Sequence, residues 1–278
     1  MIYQKYKPNE ELMPFVECYF VWESQEAVHN LIIESPPTGF CSIVFNCGDQ
    51  YFLQNKKYAQ LAVPKHFVSG QSIYCYKLSL SGNISMTGIV FKPAALATLY
   101  DFPTYQYTEE RIPLHTVFKK SLIDPFIEKL LHADSAQEKV KYLEEFVMIS
   151  YKQNKPKPDN IDYAANKILE KNGMVNVTDL LPEVFMSRRN FERKFFKKVG
   201  LSPKFYARMR RLSYLMNLIA GKKTADWAAL FSECGYYDQS HFIKDFIEFT
   251  GRTPQQYLQE NAELANIVEK PTTKRIDS

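Results

Sequence analysis

Apolar positions change period along the chain. Through the first hundred residues they fall in short blocks rich in aromatic and β-branched side chains: "FVECYFVW" (15–22), "CSIVFN" (41–46), "YCYKLSL" (74–80) and "ISMTGIVF" (84–91). Turn formers separate them at Pro36-Pro37-Thr38-Gly39, Gly48-Asp49 and Ser81-Gly82-Asn83. Short strands spaced in this way predict an antiparallel sandwich or barrel. Lys92-Pro93 closes the last strand, and "AALATLY" reads as a short helix.

From about 112 to 153 the period becomes that of a helix. Leu114, Val117, Phe118 and Leu122 form one stripe; Val140, Leu143, Phe146 and Val147 form another. Ser135, with Glu138 three residues on, has the pattern of a capping box. Such a helix pair either covers an open sheet or forms a dimer seam, and the pattern leaves both open. "NKPKPDN" (154–160) has two prolines, two lysines and no large apolar residue, the composition of a linker. Asp159 is placed to cap a helix from Ile161 onward. The predicted organisation is therefore α+β. A β-rich domain ending in helices spans 1–153, a linker 154–160, and an all-α domain 161–278.

The helical part repeats itself at an offset of 51 residues. Phe191 maps to Phe242, Phe195 to Phe246, Gly200 to Gly251, Pro203 to Pro254 and Tyr206 to Tyr257. Ser187 and Asp238 stand at equivalent positions, each expected to cap a helix. Each copy reads as a helix (about 177–184, then 224–232), a tight turn, and a second helix stopped by glycine. Ser-Pro or Thr-Pro then starts the next helix. This is helix-turn-helix organisation. Between the copies, "SPKFYARMRRLSYLMNLIA" predicts one long helix of about 27 Å. That length would hold the two units near one turn of DNA apart, about 34 Å.

At about 100° per residue, Phe191 and Phe195 face inward while Arg189 and Arg193 lie side by side on the opposite face. Asn190 and Lys197 flank them. In the second copy Ser240 and Lys244 point outward, with His241 and Glu248 at the edges. Arginines one helical turn apart can reach guanine O6 and N7 in a major groove, whose width admits one α-helix. Charge supports this assignment. Residues 1–158 are neutral, so the whole net charge of +4 arises in 159–278, and 187–223 holds 12 basic residues against the single acid Glu192. Such a block suits a polyanion, although a solvated helix face would look the same. Arg208, Arg210 and Arg211 on the long helix are left between phosphate contact and local pairing.

The last hundred residues resemble the AraC/XylS family of bacterial transcription regulators. The resemblance rests on "MSRRNFERKFFKKVGLSPKFYARMRRL" and "CGYYDQSHFIKDFIEFTGRTPQQYL" and covers about 175–260. It implies a sequence-specific DNA-binding regulator, expected to be an activator, that inserts two recognition helices in successive major grooves. Base-reading positions carried over from the family fall at Arg189, Asn190 and Arg193, then at Gln239, Ser240, His241 and Lys244. Phosphate contacts are expected from Ser187, Arg188, Lys197 and Lys204. The resemblance further implies RNA polymerase as a partner, a homodimer, and an N-terminal domain that senses an effector or dimerises. It names no effector and no cofactor. Three positions depart from the family. Leu181-Pro182 stands where the leading helix of the first unit usually continues, which predicts a shortened or kinked helix. Residues 224–260 hold six acids against Lys244 and Arg252, with Asp245 and Glu248 near the expected DNA face, so the first unit should dominate affinity. Leu258 replaces an arginine, and the polar tail 261–278 is expected to fray.

Other chemistry finds little support. His29, His66 and His115 and the carboxylates Glu17, Glu23, Glu34 and Asp49 show no metal-ligand spacing, and no nucleophile elbow or P-loop appears. A metal-dependent barrel enzyme fused to a DNA-binding module is the alternative; the reading is that the chain is not an enzyme and holds no metal. The 20 Phe and 18 Tyr suit either a ligand pocket or a core. Five scattered cysteines read as buried thiols of a reducing compartment. No secretory leader or bilayer-spanning stretch is recognisable, so a cytoplasmic protein without a membrane partner is expected.

Overall fold

A computed structural model describes residues 1–220, 222, 224–261 and 272–274. The N-terminal part runs β1 (Ile2–Tyr6), β2 (Val16–Glu23), β3 (Val28–Ser35), β4 (Cys41–Asn46), β5 (Phe52–Gln54), β6 (Leu61–Ala62), β7 (His66–Ser69), β8 (Tyr76–Gly82) and β9 (Ser85–Phe91). Then come α1 (Ala95–Tyr100), β10 (Arg111–Pro113), α2 (Leu114–Val117), α3 (Lys120–Leu131) and α4 (Ala136–Asn154). The helical part comprises α5 (Asn160–Glu170), α6 (Leu181–Val184), α7 (Arg188–Val199), α8 (Pro203–Ile219), α9 (Trp227–Glu233), α10 (Gln239–Thr250) and α11 (Pro254–Asn261). A short β11 (Thr272–Lys274) pairs in parallel with β1. The expected fraying of 261–278 otherwise lies outside the described residues.

Among the described residues the strands form two sheets and no closed barrel. One has the order β10-β7-β4-β9-β2-β1-β11, the other β3-β8-β5-β6. Apart from β1 with β11, their pairings are antiparallel. Residues alternate between two buried faces, as a sheet covered on both sides requires. In the larger sheet Tyr19 and Ile43 flank Ile89 from either side, and all three are buried under α1, α3 and α4. Val44, Phe67 and Met86 face the other way, toward Ile33, Leu53 and Leu80 of the smaller sheet.

Of the two roles left open for the helix pair, the structure shows the first: it covers the sheet. Ile123 and Phe126 of α3 and Val140, Leu143, Phe146 and Val147 of α4 belong to one core with the strands. The stripe from Leu114 to Leu122 is not one helix, however. Phe118 is extended and sets its ring edge-on to Tyr100 at 5.0 Å and Phe146 at 5.5 Å, so the chain breaks between α2 and α3. Ser135 caps α4 by accepting from Glu138 N at 3.2 Å. Asp159 caps α5, accepting from Ile161 N at 2.8 Å, while Asp162 reaches back to Asp159 N at 2.9 Å. Around α8 the helical part builds its own core from Phe191, Phe195, Tyr206, Leu212, Phe242 and Phe246.

Candidate nucleic-acid interface

Each repeat places one helix with a phenylalanine back and a polar front. In α7, Phe191 and Phe195 are fully buried, with rings 5.6 Å apart, and the helix stops at Gly200, whose φ of 91° suits glycine. Arg188, Arg189, Arg193, Lys194 and Lys197 are exposed on the front, with Asn190 half-buried beside them. Arg193 Nη2 donates to Asn190 Oδ1 at 3.0 Å, and Arg188 Nε to Glu192 Oε1 at 2.9 Å. Ser187 occupies the capping position but makes no side-chain cap, contrary to its expected role. In α10 the equivalent Asp238 does cap, accepting from His241 N at 2.7 Å. Phe242, Phe246 and Phe249 are buried behind, while Gln239, Ser240, His241 and Lys244 are all exposed.

The leading helix of the first unit is cut back around Pro182. A 3-10 turn, Val177–Leu180, runs into the single turn of α6, with the proline in its first turn, where a missing N–H leaves no partner unsatisfied. Leu258, which stands where the resemblance implied an arginine, is buried in the helical core. Two aromatics missed by periodicity stand in the turns before the polar-front helices: Phe185, 88% exposed, and Tyr237, 94% exposed.

The basic block thins out once its partners are placed. Arg208 Nη2 and Nε hold Asp245 Oδ1 at 2.6 and 3.1 Å, and Nη2 also pairs with Glu248. Asp245 is buried by this pairing, not near the DNA face as expected, whereas Glu248 is exposed. Arg211 donates to the carbonyls of Gly235 (3.2 Å) and Gly173 (3.3 Å). Arg210 is buried and donates to Thr38 O in the β-rich part. Lys198 reaches Asp159 at 2.9 Å and also pairs with Asp162. The arginines of the long helix thus pair locally, and among the described residues of the block the exposed cations lie on the front of α7 and at Lys204 and Lys222.

The β-rich part grips the far ends of both polar-front helices. Thr104 Oγ1 donates to Lys197 O (3.1 Å) and Lys198 O (2.6 Å), and Thr108 Oγ1 to Gly200 O at 3.2 Å. Cys75 N donates to Phe249 O at 3.0 Å, and Arg252 pairs with Glu34. Tyr206 OH donates to Gly39 O at 3.1 Å, fastening α8 as well. The amino-terminal halves of α7 and α10, which carry the candidate reading residues, stay open.

Against this geometry, a family model described as a helix-turn-helix domain matches residues 180–260, the span from α6 to the last turn of the second unit. Residues 180–260 thus form a helix-turn-helix domain of the AraC type, and the chain is a DNA-binding transcription regulator. In this regulator, residues 4–113 match a second family, DUF6597, a domain of unknown function. Among solved structures, ToxT from Vibrio cholerae aligns over 87% of this chain and 97% of its own, at 14% identity and a TM-score of 0.43. An apo, singly substituted ToxT from strain SCE256 aligns over the same shares, at 12% identity and a TM-score of 0.45. No curated protein matches the chain.

The β-rich part of the regulator holds a cavity of about 500 Å³ between the two sheets, the pocket its aromatic richness left open, with Arg111, which no sequence pattern marked, in its wall. Among the described residues no three His, Cys, Asp or Glu side chains group as a metal site requires. The cysteines are free thiols. Burial pushes Cys18 and Cys234 up to about 11 and Cys41 up to about 12, which keeps them protonated and poorly nucleophilic.

Proposed function

We propose that this regulator reads its operator chiefly with α7, whose open amino-terminal half enters the major groove. Arg189, Asn190 and Arg193 are the base-reading side chains in this scheme. The observation that carries it is the exposed arginine pair opposite buried Phe191 and Phe195, with Arg193 already oriented by Asn190. A guanidinium so held can make the bidentate contact to guanine. Ser187, Arg188, Lys197 and Lys204 contact phosphates; Ser187 brings a hydroxyl not used in capping, and Arg188 exchanges Glu192 for phosphate. Through α10, Gln239, Ser240, His241 and Lys244 reach the next groove. The second unit contributes less, since Lys244 is the one Lys or Arg on the exposed front of α10.

The same reading makes the chain an activator and not an enzyme, acting on DNA in the cytoplasm with RNA polymerase as its partner. The β-rich part is the effector-sensing domain, and its grip on α7, α8 and α10 gives it a route to the DNA-binding surface. A homodimer belongs to this reading too, through a surface other than the α3–α4 stripes, which are already buried on the sheet. The test is binding of the full chain to DNA from upstream of its own and neighbouring genes, beside a scrambled duplex, over a salt series. One fragment should bind orders of magnitude tighter than scrambled DNA. Arg193→Ala should remove about 1–3 kcal/mol of that preference. Equal, steeply salt-dependent binding to every duplex would mean a basic surface without a reading function.

A further inference from the structure

The cavity between the sheets is walled by Tyr3, Phe20, Trp22, Phe40, Phe67 and Tyr76, and its size is that of a small-molecule site. Into this aromatic lining the edge strand β10 brings the cationic guanidinium of Arg111. Arg111 is 9% exposed. Its Nη2 donates to Ser72 Oγ at 2.9 Å and its Nη1 to Glu110 O at 3.1 Å, and the group lies 5.3 Å from the Tyr76 ring centre. None of these partners carries a formal charge.

A buried charge is ordinarily matched by an opposite one, because desolvation otherwise costs several kcal/mol. Here the neighbouring carboxylates are engaged elsewhere. Glu109 accepts from Asn55 Nδ2 at 2.6 Å and from the backbone N–H groups of Ile73 and Tyr74. Glu110 holds Lys57 and Tyr58. The two acids in the cavity wall are also taken, Glu34 by Arg252 and Glu17 by Lys92. Among the described residues no carboxylate comes within ion-pair distance of Arg111.

We propose that the cavity binds a small apolar carboxylate, its anionic end forked by Arg111 and its hydrocarbon body among the aromatic side chains. The planar guanidinium fork matches the two oxygens of a carboxylate. The proposal names a ligand class for the sensing role given above to the β-rich part and rests on that reading for its biological meaning. Binding itself is tested without DNA, so failure of either idea is recognisable separately.

The experiment is calorimetric titration of the full chain with matched pairs: biphenyl-4-carboxylate against biphenyl-4-carboxamide, and octanoate against octanol, with inorganic phosphate as a bare anion. At least one acid should bind ten-fold or more tighter than its neutral partner. Arg111→Met should erase that preference, while Leu78→Trp, which narrows the cavity and leaves Arg111 in place, should weaken binding of acid and neutral partner together. Should Arg111→Met fail to fold, the acid-over-neutral contrast in the unaltered chain and the weakened binding of the acid in Leu78→Trp still decide. Equal binding of acid and neutral partner, no binding of either, or phosphate binding as tightly as the acids would each overturn the proposal.

Discussion

Asp245 and Glu248 both hold Arg208, yet Asp245 is buried and Glu248 is exposed. Truncating the first strips a partly buried guanidinium of its main partner. Asp245→Ala should therefore lower unfolding stability by about 1–3 kcal/mol. Glu248→Ala should stay within about 0.5 kcal/mol. Chemical denaturation of the two variants separates the cases. The outward placement of Arg189 and Arg193 was legible in the sequence, because it needs only the helical step and two buried phenylalanines. The partners of Arg208 and the isolation of Arg111 were not, since they depend on residues brought together by tertiary folding. His66 belongs to the same hidden class. Its Nδ1 is buried without a partner, and burial, helped by Lys65 and His115, pulls its pKa down to about 4. The ring is neutral in the fold but takes a proton in the unfolded chain below about pH 6.5. Its stabilising contribution is complete above that pH and drains away as pH falls toward 4. His66→Gln should flatten the loss of stability between pH 7 and pH 5, measured by urea midpoints at both.

The two polar-front helices look alike in sequence and begin differently. Asp238 accepts from His241 N, whereas Ser187 makes no such bond. Asp238→Ala should cost about 1 kcal/mol, the usual loss for a working cap, while Ser187→Ala should cost little in thermal stability. If Ser187 contacts phosphate instead, its variant should lose DNA affinity without losing melting temperature. Helices were the legible elements because glycine, proline and phenylalanine recur at fixed offsets in both units. Pro182 likewise announced the shortened leading helix. The strands β1, β3, β5, β6, β7 and β10 were not marked. Several are only two to five residues long, and β3 has a bulge after Val28 with His29 and Asn30 exposed, so alternation never builds up.

Across the whole molecule the two parts meet in several places, and one of them, at Gly39, leaves no room for a side chain. Its φ is 76°, and a Cβ there would come within 2.6 Å of Arg210 Cδ and 3.0 Å of Met209 Cε. A branched side chain at this position is excluded both by the backbone and by the long helix behind it. Gly39→Val should loosen the seat of α8 and speed amide hydrogen exchange across residues 206–212. Protection in the α3–α4 helices, which lie on another face of the sheet, should be unchanged. Nothing in the local sequence announces this contact, since Thr38-Gly39 reads simply as a turn between strands.

The grip on α7 and α10 has one further property. Thr104 and Thr108 take hold of the carbonyl oxygens of Lys197, Lys198 and Gly200, and the Cys75 amide takes that of Phe249. Every residue type has a carbonyl, so these bonds are indifferent to which side chains the helices display. Positions 189, 190, 193, 239, 240, 241 and 244 lie toward the opposite ends and are free to drift. A lineage, or an engineer, could retarget the protein to a new operator by rewriting those positions alone, and the β-rich part would continue to hold the rewritten helices in the old way.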